Sequence, residues 1–252
     1  MMTRIIMHGC NGKMGHTISK LVALDPNCTM VAGIDVVATA AFDYPVFNSL
    51  DDCNVEADVI IDFSIAHAVK PLIISAKSKN IPIVVCTTGL SEEQIDFVRD
   101  ASKTIPILFS ANMSLGVNLL VSLVQKAAAI LSPANFDIEI IEKHHNQKVD
   151  APSGTALYIA DSINETLDNE FEYKYDRSQE RVKRPQKEIG IHAVRGGNIV
   201  GEHQVIFAGQ DEIIEINHMA HSKDVFAVGS INAAKFLAEQ KSGLYDMSNV
   251  IG

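Results

Sequence analysis

Short apolar runs alternating with helical stretches constrain this chain more than any other feature. Residues 4–7, 29–35, 59–63, 81–86 and 107–110 each read as a strand. Residues 12–24 and 66–79 between them carry helical patterning, the first stopped by Asp25-Pro26. Ser91-Glu92-Glu93-Gln94 is a capping box. The Ser hydroxyl and the Gln amide satisfy each other's orphan backbone donors, so a helix starts there and runs to about Lys103. Runs such as 59–63 and 81–86 are apolar at almost every position, not at alternate ones. Strands of that kind are buried on both faces, and when helices separate them they form a parallel, doubly wound sheet.

After Asn112 the rhythm changes. Residues 116–131 read as a helix, 137–143 as a strand and 153–167 as a helix. Residues 168–187 are polar, carry most of the local basic charge and are expected to form a mobile loop. Strands follow at 189–194, 199–208 and 212–219, and their short polar or glycine-containing connections favour mostly antiparallel pairing. Residues 225–240 read as a last helix with Asp224 as its N-cap, expected to return and pack on the first domain. The expected fold is α/β. An N-terminal Rossmann-like doubly wound parallel sheet (residues 1–112 with 225–252) would bind a dinucleotide. A second α+β domain on a mixed, mostly antiparallel sheet (residues 113–224) would bind substrate and mediate oligomerisation.

Bulk properties remove several classes. Of 252 residues, 47% are hydrophobic and 21% charged, a globular balance. A formal net charge of -10 makes nucleic acid a poor partner. No apolar run reads as long enough to span a bilayer; the best candidate, 119–131, is interrupted by Gln125 and Lys126. The N-terminus carries no basic leader with an apolar core and a cleavage site. The four cysteines, Cys10, Cys28, Cys53 and Cys86, are scattered without a CxxC pair. All of this fits a cytoplasmic location, with reduced thiols and no zinc site.

Gly9-Cys10-Asn11-Gly12-Lys13-Met14-Gly15 lies between the first strand and the first helix. Glycines there let the backbone turn tightly and approach a pyrophosphate, and the helix start offers unpaired N–H groups. Lys13 adds a charge. The spacing is GxxGxxG, and its context of strand before, helix after and an acid about twenty residues on strengthens it. That acid, Asp35, can accept from the ribose hydroxyls of NAD, whereas a 2′-phosphate would be repelled. Its neighbours Val36 and Val37 supply no compensating cation, which leans toward NADH over NADPH. Asp62-Phe63-Ser64 and Thr87-Thr88-Gly89 end later strands and should reach the same crevice.

The most specific segment is Glu142-Lys143-His144-His145-Asn146-Gln147-Lys148-Val149-Asp150-Ala151-Pro152-Ser153-Gly154-Thr155-Ala156. Histidine is the side chain whose ordinary range lies near neutral pH, so His144 and His145 are candidates to give or take a proton. Lys148 is a fixed cation. The Ser153-Gly154-Thr155 turn at a helix start presents N–H and hydroxyl donors to an anion. Together these suit a dicarboxylate that needs protonation. No Cys, Asp or Glu completes a convincing ligand set with the histidines, so no metal is expected.

This segment resembles the signature of the dihydrodipicolinate reductase family, E-K-H-H-x-x-K-x-D-A-P-S-G-T-A, with every fixed position present. The glycine loop resembles the family's GxxGxMG, and Asp62-Phe63-Ser64 its D-F-[ST]. Ser110-Ala111-Asn112-Met113-Ser114 resembles its nicotinamide-side segment, and Arg195-Gly196-Gly197 with Gly201-Glu202-His203 its R-x-G…G-E-H. The resemblance spans essentially the whole chain. It implies a homotetramer that reduces an unsaturated six-membered dicarboxylate ring at C4 with NADH and/or NADPH. The cofactor would lie along residues 9–15, Asp35, Phe63, Ser64, Thr87, Thr88, Gly89, Ser110, Ala111, Asn112 and Met113. His144 would donate the proton, Lys148 would meet a carboxylate and share that role, and His145, Ser153, Gly154 and Thr155 would hold carboxylate oxygens. Two positions depart from the pattern: Cys86 replaces a glycine before Thr87, and Ser222-Lys223 stands where Ser-Arg is usual. An aspartate-dehydrogenase-like enzyme would share the N-terminal logic without needing His-His-x-x-Lys. A cofactor-binding sensor would have little reason to keep His144, His145, Lys148 and Thr155 together.

Overall fold

β1 (Thr3–His8) is the strand around which the first half of the chain is arranged. Ile5 and Met7 face one hydrophobic cluster and Ile6 another, all at 0% exposure. Such a strand needs helices over both faces. In the computed structural model, which describes residues 2–37, 42–110 and 112–252, the chain forms two units. One is Met1–Leu115 with Asp224–Gly252, the other Gly116–Lys223. After β1 come α1 (Lys13–Val22), β2 (Cys28–Ile34), β3 (Val46–Phe47), β4 (Val59–Asp62) and α2 (Ala66–Lys79). Then follow β5 (Ile83–Val85), α3 (Glu92–Ser102) and β6 (Pro106–Phe109). The second unit takes α4 (Leu115–Leu131), a 3-10 turn (Ser132–Ala134), β7 (Asp137–His144), α5 (Gly154–Thr166), β8 (Glu172–Lys174), β9 (Glu188–Arg195), β10 (Gly201–Ala208) and β11 (Ile213–Ala220). α6 (Asp224–Leu237), β12 (Gly243–Tyr245) and α7 (Met247–Ile251) return to the first unit.

The first unit is a 7-stranded sheet, order β12-β6-β5-β4-β1-β2-β3, with every pairing parallel. From β1 the chain steps one way to β2 and β3, then crosses back to β4 and proceeds the other way. The reversal opens a crevice outside the carboxyl ends of β1, β2 and β4, where such sheets bind ligands. Ile18 and Val22 of α1 and Ala227, Ala234 and Leu237 of α6 cover one face; Val69, Leu72 and Ile73 of α2 and Val98 of α3 cover the other. The Ser91 capping box forms as its spacing predicts, Gln94 N–H donating to Ser91 Oγ at 3.3 Å and Ser91 N–H to Gln94 Oε1 at 2.9 Å. The last helix packs on the first domain as expected. Asp224 is its first residue, not its N-cap, and the helix stops at Leu237. β3 and β12 have no sequence signature: each is too short for a period, and each exists because a neighbouring edge offers backbone partners.

The second unit is a 5-stranded sheet, order β11-β10-β7-β9-β8. β10 pairs antiparallel with β7 and β11, while β7 and β8 both run parallel to β9. The parallel half follows from α5, the crossover that carries the chain back across the sheet. Along β7 half-buried and buried positions alternate strictly. Ile138, Ile140, Glu142 and His144 therefore share the face that packs under α4 and α5. By length and composition 115–134 would suffice to cross a membrane, contrary to the sequence reading, with 20 residues at hydropathy 1.6. Its Leu120, Val121, Val124 and Ala128 lie in the core of this unit.

Residues 168–187 are not the loose loop expected from their polarity. Glu172–Lys174 add an edge strand, Arg177 grips Glu188 with one guanidinium nitrogen at 2.6 and 2.8 Å, and Arg184 reaches Asp137 at 2.8 Å and Glu139 at 3.0 Å. Arg177 and Arg184 thus tie the segment to the sheet, Arg184 through acids more than forty residues away in the chain.

α6 sits so close to the segment leading into α4 that a methyl group at Gly229 would lie 1.6 Å from the Met113 carbonyl oxygen. Gly229→Ala should force the helix away and destabilise the protein by about 1–3 kcal/mol, lowering Tm by about 3 °C or more. Gly196→Ala, where a methyl meets nothing within 4 Å, serves as the control. Equal Tm values for the two variants would contradict this packing.

Candidate active site

At the carboxyl end of β1 the glycine loop folds as its composition requires. Gly9 has φ +82, and a side chain there would strike the Phe63 carbonyl oxygen at 2.5 Å. A side chain at Gly15 would lie 2.4 Å from the Cys10 carbonyl oxygen. These two glycines let the turn, α1 and the β4 end close on one another. Gly12 is the N-cap of α1; among the described residues no side chain caps the helix, and its first turn holds no acid. The α1 start thus offers N–H groups that no described residue takes up, with exposed Lys13 beside them. This is what a pyrophosphate would need. Asp35 follows β2, and its Oδ2 accepts from Asn11 N–H at 3.0 Å, so the expected ribose acid also pins the glycine loop. Asn11 Nδ2 in turn donates to the Val37 carbonyl at 2.8 Å.

A carboxylate without an assigned role joins the strand ends. Asp62, 0% exposed, closes β4. Its Oδ1 meets His8 Nδ1 at 2.6 Å and Ser64 Oγ at 2.6 Å, and its Oδ2 accepts from Thr87 Oγ1 at 2.7 Å. Ser64 N–H donates to Thr87 Oγ1 at 3.0 Å. Ser64 and Thr87, from different strand ends, are thereby locked together, with Thr88 and Gly89 exposed beyond them. Phe63 packs against the first core. Cys86, the departure from the family pattern, is buried in that core. Ser110 and Asn112 are buried and bonded to each other, Asn112 Oδ1 accepts from Ser114 N–H at 2.9 Å, and Met113 is buried in the first core, against which Met14 also packs. Ala111 lies outside the described residues. His8, immediately before Gly9, was the available sequence signal for this cluster.

In the second unit the strict alternation of β7 brings Glu142 and His144 to its carboxyl end. Glu142 is 0% exposed. Its Oε2 meets His144 Nδ1 at 2.6 Å and accepts from Arg195 Nη1 at 2.8 Å. Its Oε1 accepts from Arg195 Nη2 at 2.6 Å and from Ser153 N–H at 2.9 Å. Burial pushes the Glu142 carboxyl upward, but bonds from Arg195, His144 and Ser153 outweigh it, and the pKa falls below its ordinary value. His144 Nε2 has no hydrogen-bond partner among the described residues. Beside it lies His203, its ring edge-on at 5.3 Å; burial first, then the neighbouring His144, pushes its pKa down to about 4.

The loop after β7 is held at both ends. Gly196 N–H donates to the His144 carbonyl at 2.9 Å, Asn146 N–H to the Gly197 carbonyl at 3.2 Å, and Arg195 Nη2 to the Asp150 carbonyl at 2.6 Å. Within it Lys148 pairs with Asp150 at 2.9 Å, which holds the Asp150 carboxyl below its usual range. His145 is half-buried. Ser153 is turned inward at 2% exposure: its Oγ accepts from Ala156 N–H as the α5 N-cap and bonds His203 Nε2 at 3.2 Å. Gly154 is open, and Thr155 follows on the first turn of α5. Sequence reasoning gave no role to Glu142, Arg195 or His203; a period of two along β7 and β10 was the signal that could have found Glu142 and His203. Among the described residues, no cluster of three His, Cys, Asp or Glu is placed to hold a metal ion.

Comparison with known proteins finds matches to both halves of the chain. The family described as dihydrodipicolinate reductase, N-terminus, matches residues 3–113, and that described as dihydrodipicolinate reductase, C-terminus, matches residues 116–251. A protein named 4-hydroxy-tetrahydrodipicolinate reductase from Caldanaerobacter subterraneus subsp. tengcongensis is 55% identical over 251 residues, covering 100% of this chain and 99% of that one. One of the same name from Clostridium novyi is 48% identical over 250 residues, covering 99% and 98%. A solved dipicolinate-bound dihydrodipicolinate reductase from Paenisporosarcina sp. TG-14 aligns with a TM-score of 0.85 at 26% identity, covering 100% of both chains. A myo-inositol dehydrogenase from Corynebacterium glutamicum, with a TM-score of 0.61 and 12% identity over 100% of this chain and 93% of that one, shares the fold alone. Matched along nearly all of its length by both halves of one oxidoreductase family that takes a nicotinamide cofactor, this chain belongs to the dihydrodipicolinate reductases.

Proposed function

We propose that this chain reduces 4-hydroxy-tetrahydrodipicolinate to tetrahydrodipicolinate with a reduced nicotinamide dinucleotide, on the route to diaminopimelate and lysine. The observation that carries this reading is His144, anchored through Nδ1 on a buried carboxylate with Nε2 unclaimed, on the strand that leads to Lys148 and the open start of α5. The substrate's hydroxyl leaves as water, and the resulting C=C–C=N system takes a hydride at ring C4 and a proton. A bound reduced nicotinamide supplies the hydride. Everything else falls to side chains and backbone of this chain.

The uncapped start of α1 and the tight turn at Gly9, Gly12 and Gly15 fit the pyrophosphate, with Asn11, Lys13 and Met14 in the same loop. Asp35 takes the adenosine ribose. Ser64, fixed by Asp62 against Thr87, forms the nicotinamide side with Phe63, Thr88, Gly89, Ser110, Asn112 and Met113. Lys148 and His145 meet the ring carboxylates, with the N–H groups of Gly154 and Thr155 at the α5 start. Ser153 supports them as the N-cap. His144 delivers the proton from Nε2, and its positive charge offsets the negative charge that hydride addition builds on the ring. Asp35, followed by exposed Val36 and Val37 and no cation, favours NADH over NADPH. The four buried free cysteines suit a cytosol. β11, an edge strand exposing Ile213, Ile214 and Met219, supports assembly into a homotetramer through the second sheet.

Purified protein mixed with freshly generated synthase product should consume nicotinamide absorbance, with kcat/KM for NADH at least about twice that for NADPH. A preference for NADPH would overturn the role given to Asp35. His144→Ala should lower kcat by about 10²–10⁴-fold while dinucleotide affinity, read by fluorescence titration, stays unchanged. Unchanged turnover would remove His144 as the acid. Lys148→Ala should raise KM and lower kcat together, and an unaltered KM would remove its carboxylate contact.

A further inference from the structure

Glu142 is a buried carboxylate with every acceptor direction filled. Two nitrogens of Arg195, the Ser153 N–H and His144 Nδ1 approach its two oxygens at 2.6 to 2.9 Å. An ionised carboxylate only accepts hydrogen bonds. The nitrogen facing it must therefore carry a hydrogen in either protonation state of the ring. Neutral His144 is then the Nδ1–H tautomer with a bare lone pair on Nε2, and protonated His144 carries its extra hydrogen on Nε2. The space at Nε2 is kept by a glycine: a methyl group at Gly201 would come within 3.1 Å of that nitrogen. The other polar groups around the ring do not compete for Nδ1. His203 on β10 bonds Ser153, and Lys148 pairs with Asp150 in the loop.

We propose that the Glu142–Arg195 pair positions His144 for its reaction, holding a hydrogen on Nδ1 so that Nε2 is the one atom through which a proton passes to the substrate. This rests on the reading of His144 as the proton donor. Arg195 acts through Glu142: its two-pronged grip keeps the carboxylate ionised and aimed, and its bond to the Asp150 carbonyl ties the same loop. Orientation and tautomer of a working histidine are commonly set this way, by the partner of its other nitrogen.

The test is two-bond 1H–15N correlation NMR on the full-length 15N-labelled protein with the His144 ring neutral. Kinetics of Glu142→Gln and His144→Asn accompany it. Wild type should show a protonated Nδ1 and a bare Nε2. In Glu142→Gln the amide can donate to Nδ1, so the tautomer should invert, with kcat falling about 100-fold or more and KM changing by less than about threefold. A bare Nδ1 in the wild type overturns the proposal without any variant, so misfolding of Glu142→Gln leaves the test intact. If His144→Asn abolishes turnover while Glu142→Gln keeps kcat, the positioning role fails and the donor stands. If His144→Asn retains turnover, the donor reading fails, and the pair has no proton transfer to position.

Discussion

A carboxylate taken out of water must be paired, and that requirement organises both halves of this molecule. An unpaired buried charge would cost several kcal/mol, so each buried acid gathers donors from whatever elements lie near. Asp62 gathers His8, Ser64 and Thr87 from the ends of three adjacent strands. Glu142 gathers His144, Arg195 and the start of α5. In each case the donors are the groups that the proposed chemistry needs fixed: the turns that would hold a nicotinamide in one unit, the candidate acid and the helix start that would meet a carboxylate in the other.

Backbone periodicity delivers those acids to their places. β1 and β4 are buried on both faces, so a polar residue at their carboxyl ends is forced into the crevice at the switch point. β7 has one buried face, and its alternation carries Glu142 and His144 onto the side of Ile138 and Ile140. A one-residue slip would turn both toward solvent and bring Ile141 and Lys143 inward. Register and chemistry are therefore set together, and the pairing of β7 with β9 sets Arg195 directly beside His144.

Much of this was legible in the sequence, because much of it is local. Continuous apolar runs marked the parallel strands, a capping box marked α3, and the glycine loop and His-His-x-x-Lys segment marked both candidate sites. What was not legible depends on residues far apart in the chain. The Glu142–Arg195 bond joins positions on different strands, and neither residue alone announces it. The same holds for Arg184 with Asp137 and Glu139, which makes an anchored segment of residues that read as a loop. β3 and β12 are edge additions too short to carry a period. Ser153 reads as a donor to substrate, whereas its side chain caps α5 and meets His203 inside the fold.

Under the proposed function a reduced nicotinamide gives the hydride and His144 gives the proton. Following the label is the most direct check. Reduced nicotinamide carrying deuterium at its transferable position should yield tetrahydrodipicolinate with that deuterium at ring C4, seen by NMR of the product. Unlabelled product, or a label at another ring carbon, would contradict the account.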